Sequence, residues 1–347
     1  MISSALARLN SGVEGVCAFL NVNQAARELT SRFLVGLEPS VLEGYVEALR
    51  EVAPPSTSWR IYDHCAAMSR IYALFEQFCE SILADWIDFR VLNVAFNSLP
   101  AKLQDSYAAG FASILSDIHK VRFNHISSSD LIAEYHKALK GEIGYRLTSE
   151  CLTHHKGNIR WDDINVMFER CGIPLLGEWV ANHQSLAHHF QTKSKILEQT
   201  ISRLSEFVQY RNDSAHALVE IDEILGHDEI VDLADFVMSF CLCLSDYVEK
   251  SSIEHLMSSG LATKIGVVAE IKRNNIVVCN VEGATVKMGD VIHLITSNSY
   301  GVRTVCGLML NDVSTDKVVV ANAVELGIKL DLPGVRRAHV ISTYQEI

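Results

Sequence analysis

The chain has 347 residues and a formal net charge of −12, and this length is typical of about two domains with separate cores. Charged residues make up 21% and apolar residues 48%, proportions that indicate a globular protein and exclude a largely disordered one. The acidic balance argues against a protein that coats nucleic acid non-specifically, but it leaves room for an enzyme that acts on RNA from a local basic pocket.

The nine cysteines are scattered, and none forms the paired Cys-x-x-Cys spacing of a zinc knuckle. We therefore predict no disulfide framework, no bound metal and no cofactor. The N-terminus lacks the basic, apolar and small-residue order of a secretory signal, and no apolar run reaches the roughly 18 residues that span a bilayer. The expected location is the cytoplasm, with no membrane segment.

Residues 2–52 have the spacing of two or three short helices, which Pro54-Pro55 should end because each proline lacks an amide donor. From Ser58 onward, apolar residues recur every three or four positions, which predicts one long helix with a buried face. That face comprises Ile61, Cys65, Met68, Tyr72, Phe75, Cys79, Ile82, Trp86 and Phe89. Glu76 lies beside it, either on a solvated flank or turned inward toward a charged partner.

Further helices complete a predicted helical bundle between residues 58 and 250. They cover residues 103–118, 131–139, 158–171, 177–210 and 228–250. The serines at 127–129 with Asp130 form an N-capping cluster, and Gly172-Ile173-Pro174 is a strong helix end. The adjacent pairs His154-His155 and His188-His189 are expected to diverge on helices into solvent, and their spacing fits no metal site.

After Gly260 the apolar period changes from helical to two, which predicts β-strands. Short β-branched segments cover residues 265–271, 276–281, 291–295, 302–310 and 318–324. Strands so closely spaced favour a small antiparallel β-barrel. The predicted fold is thus α+β and multidomain, with an N-terminal helical segment (1–56), a mainly α-helical bundle (57–256) and a small C-terminal β-barrel (257–347).

Arg211 opens the sequence RNDSAH at residues 211–216, and it is the next residue on the apolar stripe of the helix predicted at 177–210. The stripe comprises Trp179, His183, Leu186, Phe190, Leu197, Ile201, Leu204 and Val208. A guanidinium on a buried face costs several kcal/mol, on the order of 3–5, unless it is paired. Arg211 therefore either has an internal carboxylate partner or belongs to an anion-binding site.

An arginine and a histidine five positions apart are expected by chance about as often as they occur in this sequence. The spacing from Arg211 to His216 is therefore uninformative by itself, and the residues around the pair must be considered. A continuous helix would turn the two side chains about 140° apart, and they can share a pocket only where the helix ends. The alternative is purely structural. Arg211 would pair with Asp213 or Glu76, and His216 would favour the negative end of the helix dipole.

RNDSAH resembles the Arg-Asn…His signature of the HEPN superfamily, an all-helical ribonuclease and RNA-binding fold. The layout is similar to the RiboL-PSP-associated HEPN branch of bacterial toxin and defence systems. Leu74-Phe75-Glu76-Gln77-Phe78 matches an early aromatic-rich "LE" segment, with Phe75 in place of its Leu, and Asn158 to Ile173 matches an Asn…Gly-Ile segment. The resemblance covers roughly residues 57–250.

The resemblance implies a metal-independent endoribonuclease with catalytic Arg211 and His216 and accessory Asn212, Asp213 and Glu76. Arginine suits the phosphate and histidine can take the proton of the ribose 2′-OH near neutral pH. Such sites form across a two-fold axis, so a homodimer acting on RNA is expected, with an antitoxin or a sibling defence protein as a further partner. The barrel would then choose the target or the partner.

Two other functions stay open at this point. The second hypothesis is a catalytically silent HEPN-like module that binds RNA, a nucleotide or an antitoxin. The third is a plain helical scaffold without an anion site. The three hypotheses predict different consequences of replacing Arg211. The ribonuclease would lose cleavage, the silent module would lose binding, and the scaffold would change only in melting temperature.

Overall fold

The computed structural model describes residues 3–31, 41–215, 224–273, 275–332 and 340–344. Helices occupy most of the chain before residue 258, and strands occupy the rest. The helices are α1 (Ser3–Ser31), α2 (Val41–Val52), α3 (Ser56–Val91), α4 (Ala101–Asp117), α5 (Ser128–Leu139), α6 (Glu150–Thr153), α7 (Trp161–Arg170), α8 (Leu176–Asn182), α9 (Gln184–His189), α10 (Ile196–Ala215) and α11 (His227–Ser258). The prediction of a mainly α-helical region at residues 57–256 is therefore confirmed.

The chain divides into two compact units. One contains residues 1–172 and 188–242, and the other contains residues 173–187 and 243–347. The boundaries predicted after residues 56 and 256 remain predictions, because the units follow packing rather than a single cut along the chain. No helix within the described ranges is long and apolar enough to cross a membrane.

Helix α3 is the longest element, and its 36 residues confirm the periodicity from Ser58 to Phe89. The helix begins directly after Pro55, where the missing amide donor costs nothing because the first turn has no intrahelical partner. Its Asp63 carboxylate accepts a hydrogen bond of 2.6 Å from Asn23 of α1 and also forms an ion pair with Arg27. The prediction of only short helices in residues 2–52 is wrong, since α1 is a single helix of 29 residues.

The single helix predicted at residues 177–210 is wrong. Asn182 ends α8 because His183 is extended, and Gln191 and Lys195 have positive φ angles of 50° and 55°. Between them, Thr192 accepts a hydrogen bond of 3.2 Å from the amide of Ser194, a local turn that competes with helix. Of the apolar stripe before α10, Trp179 and Leu186 therefore belong to α8 and α9, whereas His183 and Phe190 lie outside the helices.

The C-terminal region is antiparallel and confirms the change to a two-residue period. Its strands are β1 (Ala262–Lys272), β2 (Ile276–Val281), β3 (Thr285–Lys287), β4 (Val291–Ile295), β5 (Tyr300–Leu310), β6 (Val313–Thr315), β7 (Lys317–Val319), β8 (Val324–Leu330) and β9 (Val340–Tyr344). The larger sheet has the order β4-β9-β1-β2-β8-β5-β6 with a further pairing of β4 with β5, and β3 pairs with β7 separately.

The sheet curves around an apolar interior that includes Val277, Ile292, Leu326 and Ile328. It has the form of a half-barrel, so the small antiparallel barrel is confirmed in part. One predicted strand is wrong: residues 318–324 contain the end of β7 and the start of β8, with a bend between them. The bend falls at Ala321 and Asn322, between the valines that belong to the two strands.

Candidate functional site

Helix α10 buries one face and carries Arg211 at the end of it. The buried residues are Ile196, Thr200, Leu204, Phe207 and Val208. Leu197 and Ile201 of the predicted stripe are only half-buried, so the face is rotated slightly from the prediction. Arg211 follows Phe207 by four residues and is half-buried, which places it at the edge of the packed interior.

The guanidinium of Arg211 lies over the ring of Tyr72 on α3, with its central carbon 5.1 Å from the ring centre. Tyr72 is 2% exposed and packs against Phe207 at 5.7 Å between ring centres. A cation over an aromatic face is attracted by the ring quadrupole, by about 0.5–2 kcal/mol. The stack therefore holds the guanidinium in place without neutralising its charge.

The Tyr72 hydroxyl joins two further parts of the site. It accepts a hydrogen bond of 2.6 Å from the amide of Ile159 and donates one to the carboxylate of Glu76, one helical turn away. Burial, with a further contribution from the charge of Glu76, raises the pKa of Tyr72 above its ordinary value. Tyr72 therefore remains a neutral hydrogen-bond donor at physiological pH.

Glu76 is turned toward charged partners rather than toward solvent alone. Its side chain is 35% exposed, and its Oε1 atom lies 3.8 Å from Nε2 of His155. Burial raises the pKa of this carboxyl and the nearby Glu80 raises it further, whereas the charges of His155 and Arg211 and the Tyr72 hydrogen bond lower it. Of the two alternatives for Glu76, the structure shows the inward one.

His155 is a side chain that the sequence interpretation placed wrongly. It lies in a loop after α6, not on a helix, and its side chain is only 12% exposed. Nε2 faces Glu76 and lies 3.6 Å from Oε1 of Glu80, while Nδ1 lies 2.5 Å from the carbonyl oxygen of Gly157. The interaction with the Glu80 carboxylate is the main reason that the pKa of His155 is raised.

Asn212 connects Arg211 to the same loop. Its Oδ1 atom accepts a hydrogen bond from Nδ2 of Asn158 and a longer one, 3.4 Å, from Nη1 of Arg211. Asn158 directly precedes Ile159, whose amide bonds to Tyr72. The segment 155–159 therefore forms one wall of a site whose other walls are α3 and α10.

Asp213 does not take part in this arrangement. Its Oδ1 atom accepts a hydrogen bond of 2.7 Å from Gln209, and within the described part of the chain neither Asp213 nor Glu76 comes within ion-pair distance of Arg211. Helix α10 ends at Ala215, and His216 lies outside the described residues. The structure thus brings together Arg211, Asn212 and Glu76.

The family model of RiboL-PSP-HEPN matches residues 42–250 of the chain. The chain belongs to the RiboL-PSP-HEPN family. This confirms the resemblance inferred from RNDSAH, and the match includes every residue of the site just described. A comparison with curated proteins gives no match.

Membership of the RiboL-PSP-HEPN family indicates a nuclease or an RNA-binding module. The site residues of this RiboL-PSP-HEPN domain that sequence reasoning missed are Tyr72, His155 and Asn158. Tyr72 lay on the predicted buried stripe one turn before Glu76, and that spacing was the available signal. Nothing in the sequence near His155 pointed to α3, because the contact joins residues nearly 80 positions apart.

A cleft of about 730 Å³ opens beside the site of the RiboL-PSP-HEPN domain. Its lining includes His155, Lys156, Lys102 and Arg170, together with acidic side chains such as Asp162. His155 therefore faces the carboxylates of α3 on one side and this open space on the other. The volume of the cleft is within the range typical of ligand-binding pockets.

Proposed function

We propose that this RiboL-PSP-HEPN protein is a metal-independent endoribonuclease that cleaves RNA through attack of the ribose 2′-OH. One observation carries the proposal. The Arg211 guanidinium is half-buried over the ring of Tyr72, and no carboxylate of the described residues lies within ion-pair distance of it, although it interacts with the charge of Glu76 at longer range. A cation without a direct ion pair at the edge of the packed interior is suited to an anionic ligand, and a phosphodiester provides two oxygens for its planar fork.

The residues divide the chemistry between them. Arg211 binds the phosphate oxygens, where negative charge builds as the 2′-oxygen attacks phosphorus. His216 takes the proton from the 2′-OH, since an imidazole titrates near neutral pH. Asn212 accepts from the guanidinium and so fixes the direction in which Arg211 points.

We further propose the partners of the enzyme and its biological role. Two copies would complete the site across a two-fold axis, as implied by the HEPN resemblance, and the enzyme would act in the cytoplasm as a toxin or phage-defence effector. An antitoxin or a sibling protein would restrain it. The C-terminal sheet supports a role in target or partner choice, because it has a groove of about 580 Å³ lined by Lys272 and Lys329 beside Glu325.

The test is cleavage of total bacterial RNA in excess EDTA by the full-length protein. We expect products with 2′,3′-cyclic phosphate ends, and a loss of about 100-fold or more in Arg211→Ala and His216→Ala. Arg203→Ala is the matched control, because Arg203 is on the same helix but pairs with Glu206 and Asp232 at 3.1 and 2.6 Å. That variant should cleave as the unmodified protein does.

Two results would reject the catalytic proposal. If the protein cuts no RNA but Arg211→Ala still weakens RNA binding, the chain is a silent binding module, a function that the stack of Arg211 on Tyr72 also suits. If Arg211→Ala changes only the melting temperature, the arginine is structural.

A further inference from the structure

His155 occupies a position that the proposed roles of Arg211 and His216 leave unused. It lines the open cleft and lies 3.8 Å from Glu76, whose carboxylate also feels the charge of Arg211. Among the described residues it is the histidine that faces both this acidic site and the cleft. What His155 can do there depends on which of its ring nitrogens carry a proton.

Both ring nitrogens of His155 face acceptors. Nδ1 lies 2.5 Å from the Gly157 carbonyl oxygen, and a carbonyl can only accept, so Nδ1 must donate. Nε2 lies 3.6 and 3.8 Å from oxygens of Glu80 and Glu76, two carboxylates that favour a proton there as well. The geometry is that of an imidazolium ion whose Nε2 proton is held loosely, because both distances exceed those of a normal hydrogen bond.

The other charged groups near His155 are cations that contact its backbone or the adjacent His154. Arg122 donates to the backbone carbonyl of His155 at 3.5 Å and to the ring of His154 at 3.0 Å, Arg170 donates to the backbone carbonyl of His154 at 3.3 Å, and Lys156 follows in the chain. These cations oppose protonation of His155, whereas the two carboxylates of α3 face its ring and favour it. The carboxylates prevail, because the pKa of His155 is raised while that of His154 is lowered, mainly by burial.

We propose that His155 is the general acid of the cleavage reaction, donating its Nε2 proton to the departing 5′-oxygen. The bond between the 2′-oxygen and phosphorus forms as the bond between phosphorus and the 5′-oxygen breaks. The 2′-OH proton passes to His216, and the 5′-oxygen receives the proton of His155, so charge and atoms balance. The inference rests on the proposed ribonuclease function and adds the residue that completes its proton transfers.

Tyr72 is the other candidate general acid near the site, and it is less suited to this role. Its hydroxyl is already bonded to Ile159 and Glu76, and burial raises its pKa. His155 instead presents a proton at the edge of the cleft, where a leaving oxygen can replace Glu80 as the acceptor. Glu76 and Glu80 then act as positioning residues that keep the imidazole protonated before each reaction.

The test compares an RNA oligonucleotide with the same oligonucleotide carrying a bridging 5′-sulfur at one linkage. A thiolate leaves without protonation, so a general acid is needed only for the oxygen linkage. We expect His155→Ala to lose about 100-fold on the oxygen linkage and to regain most of the rate on the sulfur linkage. His216→Ala should stay defective on both. His188→Ala is the control, because His188 is exposed on α9 and does not line the cleft, and it should cut both at close to the unmodified rate.

Three results would overturn the inference, and they are separable from one another. Equal loss on both linkages in His155→Ala and in the milder His155→Gln would make the residue a binding or structural element. Unchanged cleavage of both linkages would show that it has no role. If the unmodified protein cuts neither oligonucleotide nor cellular RNA, the ribonuclease proposal itself fails. A pH profile adds a fourth check, since Glu80→Gln should move the alkaline limb of the oxygen reaction to lower pH and leave the sulfur reaction in place.

Discussion

The guanidinium carbon of Arg211 lies 5.1 Å from the centre of the Tyr72 ring, and the hydroxyl of that ring accepts a hydrogen bond of 2.6 Å from Ile159. The two contacts can be separated by mutation. Tyr72→Phe keeps the ring under Arg211 but leaves the buried Ile159 amide without its acceptor, which should lower the free energy of unfolding by about 1–3 kcal/mol. Urea denaturation measures this loss.

Substitutions of Tyr72 should affect RNA affinity differently from the free energy of unfolding. Tyr72→Phe should keep the affinity within a few-fold, because the ring is retained, whereas Tyr72→Leu removes the platform of Arg211 and should weaken binding further. Filter binding with an uncleavable 2′-deoxy substrate separates the two variants. Equal affinities for the Phe and Leu variants would show that the ring does not position Arg211.

Asn158 and Asn212 act on Arg211 as a pair, since the Oδ1 atom of Asn212 accepts from both Asn158 and Arg211. Asn158→Ala and Asn212→Ala should each slow cleavage, and the double variant should lose less than the sum of the two losses. Residues that share a hydrogen bond typically couple by about 0.5–3 kcal/mol. A double-mutant cycle on kcat/KM measures the coupling, and strictly additive losses would mean that the contact does not serve the site.

His64 of α3 makes stability depend on pH near the end of α10. Its side chain is fully buried, its Nδ1 atom accepts a hydrogen bond of 3.2 Å from the Leu225 amide, and its ring meets that of Tyr210 edge-on at 5.8 Å. Burial lowers the pKa of His64, although the charge of Asp213 opposes this. Below a pH of about 6.5, the unfolded chain therefore binds more protons than the folded one.

The neutral His64 contributes its full stability above its unfolded pKa, and this contribution is lost as the pH falls through the lower folded pKa. The loss is roughly 1.4 kcal/mol for each pH unit that separates the folded and unfolded pKa values. His64→Asn keeps an acceptor for Leu225 but does not titrate. Between pH 8 and pH 5 the unmodified protein should lose more free energy of unfolding than this variant, and parallel losses would contradict the assignment.

How much the sequence predicts depends on how far apart the interacting residues are. A period of three to four defines the long helix α3, including Tyr72 and Glu76, and the face of α10 that leads to Arg211, because that period reports on a single continuous face. The helix itself continues to Ala215, beyond the end predicted at residue 210. The turn at Gln191 and Lys195 has no such signal, since neither residue is a glycine although both have positive φ angles.

The wall of the site that residues 155–159 form could likewise not be predicted from the sequence. His155 and Asn158 reach the site only because α6 ends at Thr153 and the following loop returns to α3. The two histidines at 154 and 155 look alike in the sequence, yet one faces Arg122 and the other faces two carboxylates. Pairings of this kind depend on contacts distant in sequence, which propensity and periodicity do not report.

The position of that wall depends on a close approach between α4 and α6 at Gly110. A Cβ atom on Gly110 would lie 1.7 Å from the carbonyl oxygen of Cys151, a backbone atom that cannot move without α6. Gly110→Ala should therefore cost more than about 3 kcal/mol of stability, or displace the loop that carries His155 and reduce RNA cleavage.

Gly15→Ala is the matched control for this change. Gly15 is in the interior of α1, and no atom lies within 4 Å of the Cβ that would be added. Alanine there should raise the free energy of unfolding by about 0.5–1 kcal/mol, because glycine is the poorer helix former. Urea denaturation of both variants checks the pair. A Gly110→Ala protein as stable and as active as Gly15→Ala would show that α4 and α6 do not hold the His155 loop in place.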